Sequence, residues 1–598
     1  MLLLLVAPGI FAVEPIVPHT EKVLRLAQVA SDDGFDAVRT NNFYSSTISA
    51  VLHETLLSYD YLARPVRLVP RTTEAMPTLE DGGKTYVFHL QRGIRFTPDP
   101  VFKGAPRELT SYDYAYVIRR IMDPRNRSAA AGSIEGKIEG LDAWAERARS
   151  TGSVDYDAPI AGLQTPDRYT LRIRLKAPDS NFPFMLATAP FGAQAREAVQ
   201  KYGDDYARHP VGTGPYQLAS YVPRSKIVLI KNPEFRGFVW PGGDGVKPAD
   251  RANLSASDQQ LIAEMRGKIM PQIQRVEISV IEEAPALWLS FKRGTQDLML
   301  LPESYAPSAL DGEQLKPELQ QQGIRLARQT VPDLVYTLLN YRDPVIGGGS
   351  LDKIALRRAI VMSYDVDEEL RSVRQGQARR AEMLISPEVA GFDPGYRSSI
   401  SYDPALANSL LDRFGYSRGF DGYRRMPDGS PLLLKMRTET GSRSRAFSEI
   451  WKRGLDKIGI RIEFIASAFA DNLKAAKSCE LMMWGVGSIA SYPDADEFLS
   501  GLYGGNIGRD NTACYNSPVF DALYDQAKSL PAGAEKNRLY LEMNRQAEAD
   551  TVWAISVNRI RSWLSGPRIQ GFKPHPYTEG IWQYLDIAPV PGANSISH

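Results

Sequence analysis

Acid/base catalysis needs two ionisable groups held at a fixed separation, and Glu282 with Glu283 and Asp494 with Asp496 are the obvious carboxylate pairs in the sequence. Neighbouring acids of this kind usually lie on solvated faces, and neither pair stands beside a nucleophile. The six histidines (His19, His53, His89, His209, His575 and His598) are scattered, and no GxSxG elbow is present. A serine or cysteine hydrolase would therefore lack its base and its turn. Gly83, Lys84 and Thr85 read like the end of a phosphate loop, but the first glycine such a loop requires falls at Thr78. The triplet is more simply a turn that enters a strand. No HExxH occurs, and the loop holding Asp421, Gly422, Asp428 and Gly429 lacks the alternating acids and closing Glu of a calcium hand. These patterns lead us to expect no enzyme, no metal and no cofactor.

The elements that would position functional residues are those of a mixed α/β chain. Over residues 84–91, Tyr86, Phe88 and Leu90 share one side, and over 169–176 Leu171, Ile173 and Leu175 stand opposite Arg172, Arg174 and Lys176. Both are half-buried strands by their period of two. Further strands are expected at 23–28, 227–231, 276–281 and 460–464. Asp403 before Pro404 sets a helix start, the apolar stripe runs to Phe414, and Gly415 supplies the left-handed stop. Ser517 and Pro518 repeat that signal, while Phe447, Ile450, Trp451, Leu455 and Ile458 mark another helix that closes at Gly459. Loops are expected at 237–250, 347–350 and 418–431.

At 598 residues the chain should hold more than one core, and its 43% hydrophobic and 24% charged residues are ordinary globular values. Lys and Arg number 71 against 70 Asp and Glu, so the net charge of +1 offers no field for a polyanion, and nucleic acid is not expected as a partner. An apolar run over residues 2–12, followed by Val13, Glu14 and Pro15, resembles a secretory signal, so 1–21 is read as signal peptide and tail and the location as periplasmic. The run is shorter than the roughly 20 residues a membrane span requires.

Several blocks then occur in a telling order: 53–59 (HETLLSY), 81–96 (DGGKTYVFHLQRGIRF), 109–122 (LTSYDYAYVIRRIM), 211–216 (VGTGPY), 356–365 (LRRAIVMSYD), 402–416 (YDPALANSLLDRFGY), 427–429 and the helix at Ser517. In this order they resemble the family 5 extracellular solute-binding proteins, the peptide, nickel and related-ligand receptors of ABC importers. The resemblance implies an α/β, two-lobed type II periplasmic-binding-protein fold with an extra subdomain in the first lobe. Lobe I is expected from 22–52, 165–275 and 556–598, the inserted subdomain from 53–164 and lobe II from 276–555, with crossings at 276–281 and 554–558. It further implies a monomer that captures a small organic ligand, peptide-like or a sugar derivative or conjugate, and delivers it to an inner-membrane ABC permease. A ligand-sensing module for a membrane receptor is the alternative.

In peptide-binding relatives a carboxylate shortly after a tryptophan pairs with the ligand's α-ammonium. Here Trp484 is followed by no acid until Asp494, ten positions on, so Asp494 is a candidate for that role or a helix cap. Trp484 offers a flat surface for a ligand or for the core, and Ser488 and Tyr492 could bond a ligand. Asp36 matches a cleft position where relatives carry Asp-Pro, though Ala37 stands in the proline's place, and it could instead cap a turn. Asn340 could bond the ligand or neighbouring backbone. Cys479 and Cys514 could close the Trp484 loop in an oxidising compartment, or remain two buried thiols.

Overall fold

Trp553–Ser565 is thirteen residues of aromatic, aliphatic and polar side chains without a glycine or proline, and it forms the strand on which the main sheet is built. The computed structural model describes residues 21–40, 42–241 and 255–588; nearly all of the expected signal segment, most of the expected 237–250 loop and the chain's last ten residues lie outside them. The first residues of the long strand pair antiparallel with Asp333–Leu339, and its last with Arg325–Thr330 and Leu298–Leu300. Ala378–Arg380 bonds its middle. Outward from Asp333–Leu339 lie Met483–Ile489, Leu433–Thr438 and Arg461–Ala466; outward from Leu298–Leu300 lie Val23–Gln28, Arg275–Val280, Lys226–Lys231 and Tyr216–Val222. Each direction has its own apolar packing: Leu24, Val276 and Trp582 on one side, Leu334, Leu434 and Trp451 on the other.

Residues 325–339 run alongside the long strand for its whole length, so the chain passes between the two sets of strands at two adjacent points. Val331 N–H donates to Arg559 O at 2.8 Å, and Asn558 Nδ2 donates to Asp333 O at 2.5 Å. The expected crossing at 554–558 falls within this strand. The one expected at 276–281 does not occur: Arg275–Val280 is bonded on one side by Val23–Gln28 and on the other by Lys226–Lys231, within the first set. The helix Ala284–Lys292 that follows packs Leu287 and Phe291 against Met299, Leu301 and Leu564, which also belong there. The ladder keeps Arg275–Val280 among the first set of strands, and the chain passes to the second set at Val331 and Pro332.

A separate four-stranded sheet, in the order Thr78–Glu80, Thr85–His89, Thr170–Arg174, Leu163–Asp167, is backed by the helices Ser111–Met122 and Leu141–Thr151. Its core includes Phe182, Phe191, Tyr206 and Val211, so this body extends past the expected limit at residue 164. The two glycines of VGTGPY have a packing reason. A Cβ on Gly212 would strike Leu52 O, and one on Gly214 would strike Val51 O, because this backbone lies directly against the end of the helix Phe43–Leu52.

Cys479 and Cys514 form a disulfide, joining the end of the helix Phe469–Lys477 to the segment before Tyr515 across 35 residues of sequence. Closing a loop of that length removes unfolded-state freedom worth about 3–4 kcal/mol. Replacing both cysteines by serine should lower the unfolding free energy by about that amount in urea titrations; an unchanged midpoint would show that the bond contributes nothing.

Candidate functional site

Along the long strand, Arg559, Arg561 and Trp563 alternate onto one face, and that face lines a cavity of about 770 Å³. The helix Phe43–Leu52 forms another wall. It buries Ser45, Ile48, Ser49, Val51 and Leu52 while Phe43, Tyr44, Ser46 and Thr47 line the cavity. Gln28, at the end of the first strand, and Tyr59 add to the same side, and Ile489, Ala490 and Ser491 come from the second set of strands. Both sets therefore build the cavity.

The segment carrying Tyr577, Thr578 and Glu579 is fixed by His575. Its Nδ1 accepts from Tyr577 N at 3.1 Å and from Thr578 N at 2.8 Å, which leaves Nε2–H to donate to Asp60 O at 3.2 Å. That bonding pattern requires the neutral ring, and burial holds its pKa well below the ordinary histidine value. His53, also in the cavity wall, is buried against Ala193 O and pushed down to about 4.

The cations near the cavity differ in how far they are committed. Arg559 donates through its backbone N–H (2.9 Å) and its Nε to the buried Asp333 carboxylate. Arg443 pairs with Glu303. Glu54, elsewhere on the wall, holds Arg71 at 2.9 Å and Arg236 at 2.8 Å. The Arg561 side chain makes no ion pair or hydrogen bond among the described residues; its guanidinium lies 5.3 Å from the centre of the Phe43 ring. Glu579 accepts from Ser46 Oγ at 2.5 Å, and burial pushes its carboxyl up to about 7 against the opposing pull of Arg561. Four more polar atoms on cavity residues, Gln28 Nε2, His53 Nε2, Tyr59 OH and Thr578 Oγ1, are buried without a hydrogen-bond partner among the described residues.

The two sets of strands also touch across the cavity. Arg443 reaches Glu303, Arg64 stands 3.7 Å from Glu388, and Tyr577 OH donates to Glu388 O at 3.3 Å. Tyr59 stacks between Tyr577 (5.6 Å) and Phe184 (6.2 Å), and Phe184 in turn stacks on Tyr492 at 6.4 Å.

None of the six residues singled out from the sequence lines this cavity. The Asp36 carboxylate is gripped by Arg120 at 2.8–2.9 Å and by Gln194 at 3.2 Å, which holds its pKa down despite burial. Asn340 is spent on backbone: Nδ2 donates to Cys479 O and Leu481 O, and Oδ1 accepts from Arg342 N. Trp484 is buried, with Nε1 donating to Glu439 at 2.9 Å. Ser488 sits in the ladder opposite Leu334. Asp494 accepts from Tyr540 OH at 2.5 Å and Asp496 N at 2.9 Å and pairs with Lys536 at 3.3 Å, so its oxygens are already engaged. Tyr492 donates to Asp496, and its ring stacks on Phe184 within the core around the four-stranded sheet. Sequence reasoning passed over Gln28, Tyr59, Arg561, Thr578 and Glu579. The one available signal was the alternation of Arg559, Arg561 and Trp563 within an otherwise strand-like run.

A cavity walled by two sets of strands joined through a double crossing is the arrangement of a two-lobed binding protein. The model of the bacterial extracellular solute-binding proteins, family 5, matches residues 67–510, and the chain belongs to that family. It is 22% identical to heme-binding protein A of Haemophilus influenzae over 83% of this chain and 80% of the relative. To the dipeptide-binding protein of Escherichia coli K12 it is 23% identical, covering 81% and 78% respectively. Among solved structures it superposes on the periplasmic binding protein DppA from Helicobacter pylori, in complex with peptide STSA, with a TM-score of 0.67 at 18% identity, covering 94% of this chain and 98% of that one. The shared fold is the two-lobed one.

Because Glu579 holds its proton up to about 7, the folded state binds more protons than the unfolded state between the ordinary Glu value of 4.5 and that point. Stability from this group is therefore present at low pH and is lost as pH rises through that window, by on the order of 3 kcal/mol. Unfolding titrations from pH 4.5 to 8 should show Glu579→Gln gaining on the wild type as pH rises; parallel curves would contradict the assignment.

Proposed function

We propose that the protein captures a small organic ligand, peptide-like in the first instance, in the cavity between its lobes and presents the closed form to an inner-membrane ABC permease. Membership of family 5 makes it a solute-binding receptor of the importer type. The observation that carries the reading of this particular site is that aromatic walls of lobe I, facing Ile489, Ala490 and Ser491 of lobe II, enclose an arginine side chain without an ion pair, Arg561, and the unbonded polar atoms of Gln28, Tyr59 and Thr578. Burying donors without partners is costly, and a ligand that supplies the partners recovers that cost on closure. The volume of about 770 Å³ lies in the range of sites that enclose small organic molecules.

We place lobe I at 22–331 with 559–588, carrying the extra body around the four-stranded sheet, and lobe II at 332–558. Two adjacent crossings let these lobes rotate about one line, and contacts made only when they meet shift the population toward closure. The named ligands of the relatives, heme and dipeptides, support a small-molecule cargo. Asp494, engaged with Lys536 and Tyr540, is not the ammonium partner in this reading. A periplasmic location is supported by the family and by the disulfide; no helix among the described residues is long and apolar enough to cross a membrane.

A ligand present at a thousand times its Kd should raise the unfolding free energy by about 4 kcal/mol. Thermal-shift measurements against di- and tripeptides, and separately against sugar conjugates, test the reading. Stabilisation by peptides supports it, stabilisation by sugar conjugates alone removes the peptide part, and silence across both overturns ligand capture at this site. Tyr59→Phe deletes one unpartnered hydroxyl and should weaken a peptide found this way about tenfold, as read by calorimetry.

A further inference from the structure

One guanidinium along the cavity has no ion pair, and we infer that the ligand carries a carboxylate that this group, on Arg561, receives. This rests on the reading of the cavity as the ligand site. Three guanidinium groups gather where the long strand passes the mouth of the cavity, and two are spent, Arg559 on Asp333 and Arg443 on Glu303. The Arg561 side chain has neither an ion pair nor a hydrogen bond among the described residues. It is half-buried, it lines the cavity, and its proximity to Arg559 together with loss of water disfavours its charge.

The surroundings of Arg561 account for this side chain by side chain. From the helix Phe43–Leu52, Phe43 lies beneath the guanidinium, Tyr44 is a neutral neighbour, and Ser46 is turned to Glu579. From the C-terminal segment, Glu579 is the acid nearest in kind to a partner, but it is bonded to Ser46 and its burial favours the protonated, uncharged form near neutral pH. From the strand alongside, Asp333 is held by Arg559. A flat cation stacked on an aromatic ring, its N–H edge uncommitted, is a fork that matches the two oxygens of a carboxylate. Gln28 Nε2 and Thr578 Oγ1 are further donors without protein partners in the same cavity, in keeping with an oxygen-rich ligand end.

The test compares matched probes on the full-length protein by thermal shift and calorimetry: pools of di- and tripeptides as free acids, the same pools as C-terminal amides, and uronic acids beside their neutral parent sugars. The expected result is binding of free acids but not amides, a loss of tenfold or more in affinity with Arg561→Gln, and partial recovery with Arg561→Lys. Phe43→Leu, which keeps the cation and removes its platform, should weaken the same acids several-fold and guards against misreading a variant that fails to fold. Amides bound as tightly as acids, or acids bound unchanged by Arg561→Gln in a folded protein, would overturn the carboxylate assignment and leave peptide capture standing. If neither peptide pool binds, peptide capture itself fails. The carboxylate is then decided by the sugars: uronic acids bound in an Arg561-dependent way support it, while neutral sugars bound equally, or no binding at all, overturn it.

Discussion

Asp333 is the point at which both crossings are fastened. Its carboxylate, wholly buried, takes the backbone N–H and the side chain of Arg559, and its carbonyl takes the Asn558 amide. An ion pair so placed is worth little beyond an apolar substitute in bulk stability, but removing one partner leaves a buried charge uncompensated, at a cost of several kcal/mol. What it secures is geometry. The two strands that pass between the lobes are held at one register, so the face bearing Arg559, Arg561 and Trp563 is turned to the cavity.

The same interaction sorts the cavity's chemistry. Committing Arg559 to Asp333 leaves Arg561, two residues along, as the cation with no carboxylate. Burial favours the neutral forms of His53, His575 and Glu579, so none of the three supplies a strong counter-charge. Around it the walls are apolar or aromatic, and a small number of donors lack protein partners. Few polar groups placed over a largely apolar surface is the composition expected of a site that selects by the position of a charge while drawing affinity from area.

Much of the fold was legible because its signals are local. Alternation at Tyr86, Phe88 and Leu90 gives Thr85–His89, and the Asp403 and Ser517 starts appear as side chains accepting from Leu406 N and Phe520 N. Gly415 and Gly459 take positive φ where their helices stop. Which strand bonds which is not local, and 276–281 shows the consequence: a correct strand given the wrong place in the architecture. The site was less legible still. Trp484 and Asp494 stand where peptide-binding relatives led us to look for a pocket, but Glu439, Lys536 and Tyr540, remote in sequence, claim their polar atoms. Two arginines in a strand read as a solvated face until the helix Phe43–Leu52 closes over them.

The long strand, from residue 553, is the last of the main sheet's strands in chain order, and each lobe's sheet needs it at an internal position. During synthesis, therefore, neither lobe can finish its sheet until every other strand of the main sheet has already left the ribosome. Until then Asp333–Leu339 and Leu298–Leu300 each keep a bare edge, the kind of surface that pairs with whatever strand it meets. The nascent protein is thus held in an incomplete state until its central strand emerges. Once the last strand docks, both lobes and the line between them are completed together.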